Sequence, residues 1–442
     1  MNAKRKWLGV SIALLGLAVA QAAEPSEPAR FVIRSTRAAI GEVCRLHGLQ
    51  LVRELGRPDL FLVAGPEGIS AADLLPSVAN DPRVAGFERD GKARLPRASH
   101  GLGSAGYSVK SGPPAAASSQ GWTVLADQAA ALLIGVDQAH ARKDLGRGVV
   151  VALIDTAVDA SHPVLKGAIV PGADFTTDQA GGGSGIGLRQ STVTILNKSD
   201  AKGDKGTLSQ STVTILNRQS SPPGKLSATD AGDLAGHGTM VAALIRAVAP
   251  DARILPLAAF DADGSTSVSA IVRALYYAAD AGAKVVNMSF DLDSASPEVR
   301  RAVKYASDRG VICVGAAGND GSDAPVYPAA LGRVLGVAAT TLDDALAPFS
   351  NYGASVDLAA PGVDLLTAFP DERYATASGT SFSAALVSGA VAVLAGERPD
   401  LDYTTAAAAV AHSVFVSRQL GGGRLDLPAA LDALDGDSRG RR

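Results

Sequence analysis

Apolar positions along this chain fall into two rhythms, separated by a stretch that has none. In residues 27–93, short apolar runs at Phe31–Arg34, Leu49–Leu55, Leu60–Ala64 and Val84–Arg89 predict strands. Helical spacing over Ala38–Leu46 and Ala71–Ala79 predicts two helices. The order is β-α-β-β-α-β, that of a small ferredoxin-like α+β unit. About 65 residues just suffice for its core. Residues 94–121 hold Gly101, Gly103, Gly106, Gly112, Pro113 and Pro114 without periodicity, and predict a flexible, easily cut linker.

Over residues 122–435 the rhythm changes. Val149–Ile154, Arg253–Ala259, Lys284–Met288, Val311–Gly315 and Val334–Ala338 are continuous apolar runs, as strands buried on both faces require. Val268–Ala281, Pro297–Arg309 and Phe382–Ala395 read as intervening helices. The fold class expected is α/β, a doubly wound parallel sheet preceded by the small α+β unit. An insertion at about 178–228 interrupts it. There Gln190–Asn197 recurs as Gln210–Asn217, each copy alternating Thr with Val or Ile. The repeat suits a two-stranded β arm beside the site, or a duplicated surface loop with no role.

The chain begins with Lys4, Arg5 and Lys6, then an apolar run from Trp7 to Val19, then Ala20-Gln21-Ala22. This is the pattern of a cleaved export signal over residues 1–22, with a periplasmic or secreted destination. No later run is read as a membrane span, and no stable membrane anchor is expected. A net charge of −3 argues against nucleic acid as a partner. Cys44 and Cys313 are the only cysteines; they give no disulfide framework, and Cys313 reads as a buried, inert thiol. The tail Asp435–Arg442 is polar and read as disordered.

Four polar residues stand out against this pattern. Asp155 ends the first strand of the large domain, where α/β sheets gather their sites; alone it is equally a turn former. His237 is flanked by Gly236 and Gly238 and opens an apolar helix carrying Val241, Leu244, Ile245 and Val248. Asn319 follows the strand that holds Cys313, where its amide can donate to an oxyanion, or simply sit in a loop. Ser381 follows Gly379-Thr380 at the first turn of a buried helix, whose free N–H groups suit developing negative charge; alone it reads first as a plain N-cap.

The order Asp155, His237, Ser381, with Asn319 between the last two, resembles the subtilisin-like (S8) serine peptidases. The matching motifs are Asp155-Thr156, His237-Gly238-Thr239, Asn287-Met288-Ser289, Ala316-Ala317-Gly318-Asn319 and Gly379-Thr380-Ser381. Tyr327-Pro328, Ala360-Pro361-Gly362 and Gly423-Arg424-Leu425-Asp426 also match, and the resemblance runs from about Gly135 to Leu431. It implies an exported serine endopeptidase made as a zymogen. Ser381 is then nucleophile, His237 general base and acid, Asp155 its orienting carboxylate, and Asn319 an oxyanion donor. The 27–93 unit becomes a propeptide that inhibits its own enzyme, with the maturation site in the linker. Protein or peptide substrates are implied. The chemistry needs no cofactor and no metal; a structural calcium is common in such enzymes, but no dense carboxylate loop fixes one here.

By the same resemblance, Ser289, Phe290, Ala316, Ala317, Gly318 and Val326 bind substrate. Val326 stands where smaller residues are usual and favours small or medium aliphatic side chains before the cut. Asp291, in place of the usual glycine, favours a basic one instead. Two further departures are Ala157 for a glycine after Asp155-Thr156, costing about 1 kcal/mol if its φ is positive, and Phe382-Ser383-Ala384-Ala385-Leu386 for Met-Ala-x-Pro-His, which removes a preset first-turn φ. The alternative function is a peptide-binding protein on the same fold without turnover, against which the intact four-residue set weighs. An α/β-hydrolase esterase requires Gly-x-Ser-x-Gly, which Gly379–Ser383 does not match, and sedolisin-type peptidases use Glu where His237 stands.

Overall fold

The computed structural model describes residues 28–66, 68–95, 122–143, 145–176, 234–292 and 294–436, with the backbone of 106–110, 193–194, 212–213 and 437–440. The expected export signal, most of the linker and most of the duplicated insertion lie outside the described residues.

The first unit contains β1 (Arg30–Ser35), α1 (Ile40–His47), β2 (Gln50–Arg57), β3 (Leu60–Ala64), α2 (Ala71–Ala79), β4 (Val84–Arg89) and β5 (Lys92–Arg94). β1 to β4 form an antiparallel sheet in the order β2-β3-β1-β4. Side-chain alternation along a strand gives this sheet two apolar faces. Phe31 and Ile33 pack with Ile40, Val43, Leu74 and Val78 of the unit's own helices. Val32, Leu55, Leu60 and Leu62 instead join a core of the large domain.

β6 (Gly106–Lys110) lies within the segment read as a flexible linker, yet it is a strand. Three short helices follow, α3 (Thr123–Ala126), α4 (Ala129–Leu133) and α5 (Val136–Ala141). Then come β7 (Val150–Asp155), β8 (Ala173–Asp174), β9 (Val193–Thr194), β10 (Thr212–Val213), α6 (His237–Val248), β11 (Arg253–Ala258), β12 (Ser265–Ser267), α7 (Val268–Asp280), β13 (Val285–Met288) and β14 (Asp291–Leu292). The rest comprises α8 (Pro297–Ser307), β15 (Ile312–Ala316), β16 (Val334–Thr340), β17 (Leu358–Pro361), β18 (Leu365–Phe369), β19 (Arg373–Ser378), α9 (Thr380–Glu397), α10 (Tyr403–Val410) and α11 (Leu427–Gly440). β9 and β10, one from each copy of the repeat, pair antiparallel.

The main sheet has seven parallel strands in the order β17-β16-β15-β13-β7-β11-β8. β7 comes first in the chain yet lies inside the sheet, with β11 on one side and β13 on the other. That reversal of strand order opens a crevice at the carboxyl end of β7. Val151 and Leu153 of β7 face one core with α6 and α9; Ala152 and Ile154 face the other with α7 and α8.

Helix α9 is the axis of the first core. Every residue from Thr380 to Ala395 is buried. At 18 residues and mean hydropathy 1.4 it is long and apolar enough to cross a membrane by length and composition, which corrects the reading that no later run qualifies; here 89% of it is buried inside the protein. A helix apolar on all sides belongs in such an interior. Its serines stay satisfied: Ser383 Oγ donates to the carbonyls of Ala360 and Pro361, and Ser388 Oγ accepts from Asn287 Nδ2. The tail read as disordered is helical as far as Gly440, as the end of α11.

Ion-pair, stacking and hydrogen-bond contacts join the first unit to the large domain. Arg34 Nη2 reaches Glu298 Oε2 at 2.6 Å. The Arg57 guanidinium stacks on Tyr276 and Tyr305, 4.4 and 3.8 Å from their centroids. Glu88 accepts from Ser296 Oγ and Glu298 N at the start of α8, while Asp90 accepts from Ser269 N and Oγ at the start of α7. Carboxylates suit these positions because helix N-termini present unpaired N–H groups and partial positive charge. Beyond them β5 enters the large domain as the middle strand of a three-stranded sheet, β12-β5-β14.

Candidate active site

The crevice at the end of β7 is where the expected polar residues meet. Asp155 is the last residue of β7 and wholly buried. His237 is the first residue of α6, and its Nδ1 lies 2.9 Å from both Asp155 oxygens. This bidentate contact makes Nδ1 the protonated nitrogen and leaves Nε2 free to act as a base. Thr156 N donates to Asp155 Oδ1 at 2.7 Å. Thr156 Oγ1 accepts from Gly238 N at 2.9 Å, tying the carboxylate strand to the histidine helix. Gly238 is required here, since a Cβ on it would sit 2.4 Å from the Thr156 carbonyl oxygen.

Ser381 is the second residue of α9 and 2% exposed. Its Oγ is turned to the Ser289 carbonyl at 3.4 Å, and among the described residues His237 bonds to Asp155 and not to Ser381. Ser289, just past β13, is held in turn: its Oγ donates to Asn287 Oδ1 and lies 3.1 Å from the Ser381 carbonyl. Asn319 follows β15. Its Oδ1 accepts from Thr380 N at 3.0 Å and Thr380 Oγ1 at 2.9 Å, which leaves its Nδ2 donors to face elsewhere. Nδ2 is 3.5 Å from where a Cβ on Gly379 would stand, close to the Ser381 turn.

The six residues read as substrate-binding fall in two segments beyond neighbouring strand ends, Ser289 and Phe290 just past β13, and Ala316, Ala317, Gly318 and Val326 at and beyond the end of β15. Ala316 and Ala317 are buried at and beyond the end of β15, and Gly318 has φ 101°, a conformation that favours glycine. Val326 packs on Gly318, its Cγ2 3.0 Å from where a Gly318 Cβ would be. Phe290 is wholly buried, with its ring 5.1 Å from Phe260, so its side chain belongs to the core. Asp291 follows in β14. Burial, with Asp320 nearby, pushes its carboxyl up to about 7. Burial also pushes the Cys313 thiol up to about 12, which keeps it protonated.

The departures noted in the sequence resolve physically. Ala157 is absent from the non-glycine residues with positive φ, so it carries no strain of that kind. Ala385 is the sixth residue of α9, beyond the first turn where proline presets φ; alanine suits a helix interior. The Phe382 ring packs 5.6 Å from the His237 ring at 44°. Thr156 and Thr380 orient the site, although in the sequence they appeared only as members of motifs; their signal is that each adjoins Asp155 or Ser381. Asn351 does the same for the Asn319 loop, its Oδ1 accepting from Asp320 N and Ser322 N. Among the described residues no three His, Cys, Asp or Glu side chains converge, so they do not fit a carboxylate cage for calcium.

The subtilase family profile matches residues 146–430. The chain is 34% identical over 260 residues to a thermophilic serine proteinase of Bacillus sp. (strain AK1), covering 57% of this chain and 53% of that one. It is 32% identical over 256 residues to thermitase of Thermoactinomyces vulgaris, covering 57% of this chain and 76% of that one. Fervidolysin from Fervidobacterium pennivorans, a keratinolytic enzyme related to subtilisin, has a similar fold, with a TM-score of 0.68 at 23% identity over 93% of this chain and 62% of its own. The chain thus spans about half of the first relative's length and three quarters of the second's. With its parallel sheet, its Asp, His and Ser in that order and a family match over residues 146–430, the chain belongs to the subtilase family.

Proposed function

We propose that the chain is an exported serine endopeptidase made as a zymogen. Ser381 Oγ attacks the scissile carbonyl while His237 Nε2 takes its proton, and His237 later returns that proton to the leaving amine. Asp155 holds the imidazole and stabilises its cationic form. The Ser381 N–H at the start of α9 and the Asn319 Nδ2 donate to the oxyanion. For attack, Ser381 Oγ must exchange the Ser289 carbonyl for His237 Nε2. Such bonds commonly tighten only with substrate in place. The reaction uses no cofactor.

In this reading residues 27–93 are a propeptide. It is supported by β5, which lies antiparallel between β12 and β14, where an extended substrate strand would pair. Its removal empties the ladder for protein or peptide substrates. Export to the periplasm or beyond rests on the N-terminal pattern, with residues 1–22 removed.

One observation carries the proposal: Asp155 and His237 paired at 2.9 Å at the same sheet edge as Ser381 and an Asn319 whose carbonyl side is pinned. Purified precursor incubated with a fluorophosphonate probe is the test. Wild type should label and shorten itself between about Pro96 and Trp122, whereas Ser381→Ala should stay full length and unlabelled. A wild-type chain that never shortens and never labels refutes the proposal.

A further inference from the structure

We propose that Asp291 makes the primary pocket select substrates with lysine or arginine immediately before the cleaved bond. The inference rests on the serine endopeptidase reading and adds its substrate class.

Position is the first argument. Asp291 lies two residues beyond Ser289, whose carbonyl faces the Ser381 hydroxyl. On one side of β14, Asp291 pairs in register with Arg94 of β5, in the ladder that a substrate strand would take. On the other side, Leu292 N donates to the Tyr327 carbonyl at 2.8 Å, and Tyr327 directly follows Val326. Asp291 therefore sits in the wall between the cleft and the Val326 floor.

Its chemical state is the second argument. Asp291 Oδ1 is out of contact with solvent and has no hydrogen-bond partner. Asp291 as a residue is half-buried, but a carboxylate oxygen in that state is costly, and folded proteins normally supply such an atom with a partner. The charged group acting on it is Asp320, next to Asn319, whose repulsion adds to burial in holding the carboxyl near 7. On the other elements around it, Tyr327 is the titratable neighbour across β14, and Arg94 stands opposite on β5, exposed and without an ion pair to Asp291. A cation delivered by substrate would pair with the Asp291 carboxylate and offset both the burial and the repulsion from Asp320.

Shape is the third. Val326 closing on Gly318 shortens the floor, which works against a broad aromatic ring. The unbranched stem of lysine or arginine needs only a narrow channel along the wall. The aliphatic preference that Val326 alone would produce is the competing outcome.

The test uses matured wild-type enzyme and peptides that differ only in the residue before the cut: arginine, lysine, citrulline, leucine, alanine and phenylalanine. Citrulline keeps the shape of arginine without its charge. At pH 8.5, kcat/KM for arginine should exceed that for citrulline by at least about tenfold. The ratio should shrink as pH falls through the Asp291 titration, with a midpoint at or below 7 once β5 has left and water enters. In Asp291→Asn the ratio should fall to about one at every pH, and in Asp320→Asn part of the way. Labelling by a fluorophosphonate with equal rates on arginine and citrulline, or with leucine best, overturns this proposal alone. So does an arginine preference that survives in Asp291→Asn. A chain that neither labels nor cleaves any peptide overturns the peptidase reading, and this one with it.

Discussion

Asn319 shows how a side chain becomes a directed donor. Both hydrogen bonds to its Oδ1 come from Thr380, so a flip of the amide would set its NH2 group against the Thr380 N–H. Asn319→Ala should lower kcat by about 10²–10³ with KM little changed, a magnitude taken from a side-chain oxyanion donor in subtilisin, a member of this same family. Steady-state kinetics on one peptide checks it. Phe382 acts on His237 through packing. Phe382→Leu keeps an apolar filler but removes the ring face from the imidazole, and should lower kcat more than it raises KM. Equal parameters for wild type and variant would show that the ring contact is inert. The four polar residues were legible because glycines and apolar periodicity isolate them. Thr156, Thr380 and Asn351 were not, since a hydroxyl or amide can bond to many partners and its choice is made only in three dimensions.

The strands read as buried on both faces, β7, β11, β13, β15 and β16, were legible to within two residues, because a continuous apolar run bounded by polar turns has few other uses; β17, buried throughout but only four residues long, was not read. Short strands were not. β5 reads Lys-Ala-Arg and is a strand only because β12 and β14 pair with it from another part of the chain. β6 is likewise fixed by β19, from Tyr374 opposite Lys110 to Ser378 opposite Gly106, so a Gly- and Ser-rich segment holds order that its composition does not suggest. In α9 the apolar period marked the helix from Phe382 although it starts at Thr380, while the placing of Ser381 at its first turn was legible from Gly379 and the run that follows. The joint between β7 and α6 tolerates no added atom. Gly238→Ala should cost about 1–3 kcal/mol in stability by overpacking against Thr156 and, by displacing His237, abolish probe labelling. Thermal unfolding and labelling together read both effects.

Across the whole molecule, the junction between the first unit and the large domain is built from charges that pH can address. Burial raises the Glu88 and Asp90 carboxyls above their usual range, against the hydrogen bonds from Ser296 and Ser269. A carboxyl whose pKa is raised in the docked state binds protons more readily docked than free. Docking therefore gains strength as pH falls through that pKa and loses it as pH rises. In a cleaved but undissociated complex, release of the N-terminal piece should increase as pH rises from the ordinary carboxylate range through the raised pKa values of Glu88 and Asp90 and then level, as size-exclusion chromatography would record. Release that is unchanged over this range would show that the junction is governed by its apolar face and by the stacking of Arg57 on Tyr276 and Tyr305.

The two ladders that bracket residues 96–105 have a kinetic consequence. β5 ends at Arg94 between β12 and β14, while β6 begins at Gly106 beside β19, the strand that runs into the Ser381 turn. The eleven steps from Leu95 to Gly106 reach at most about 40 Å. A bond cut within that span is presented to its own chain's nucleophile at a concentration that dilution cannot change. Conversion of precursor should then be first order, with a half-time equal at nanomolar and micromolar protein. A half-time that lengthens on dilution would mean that one molecule cuts another.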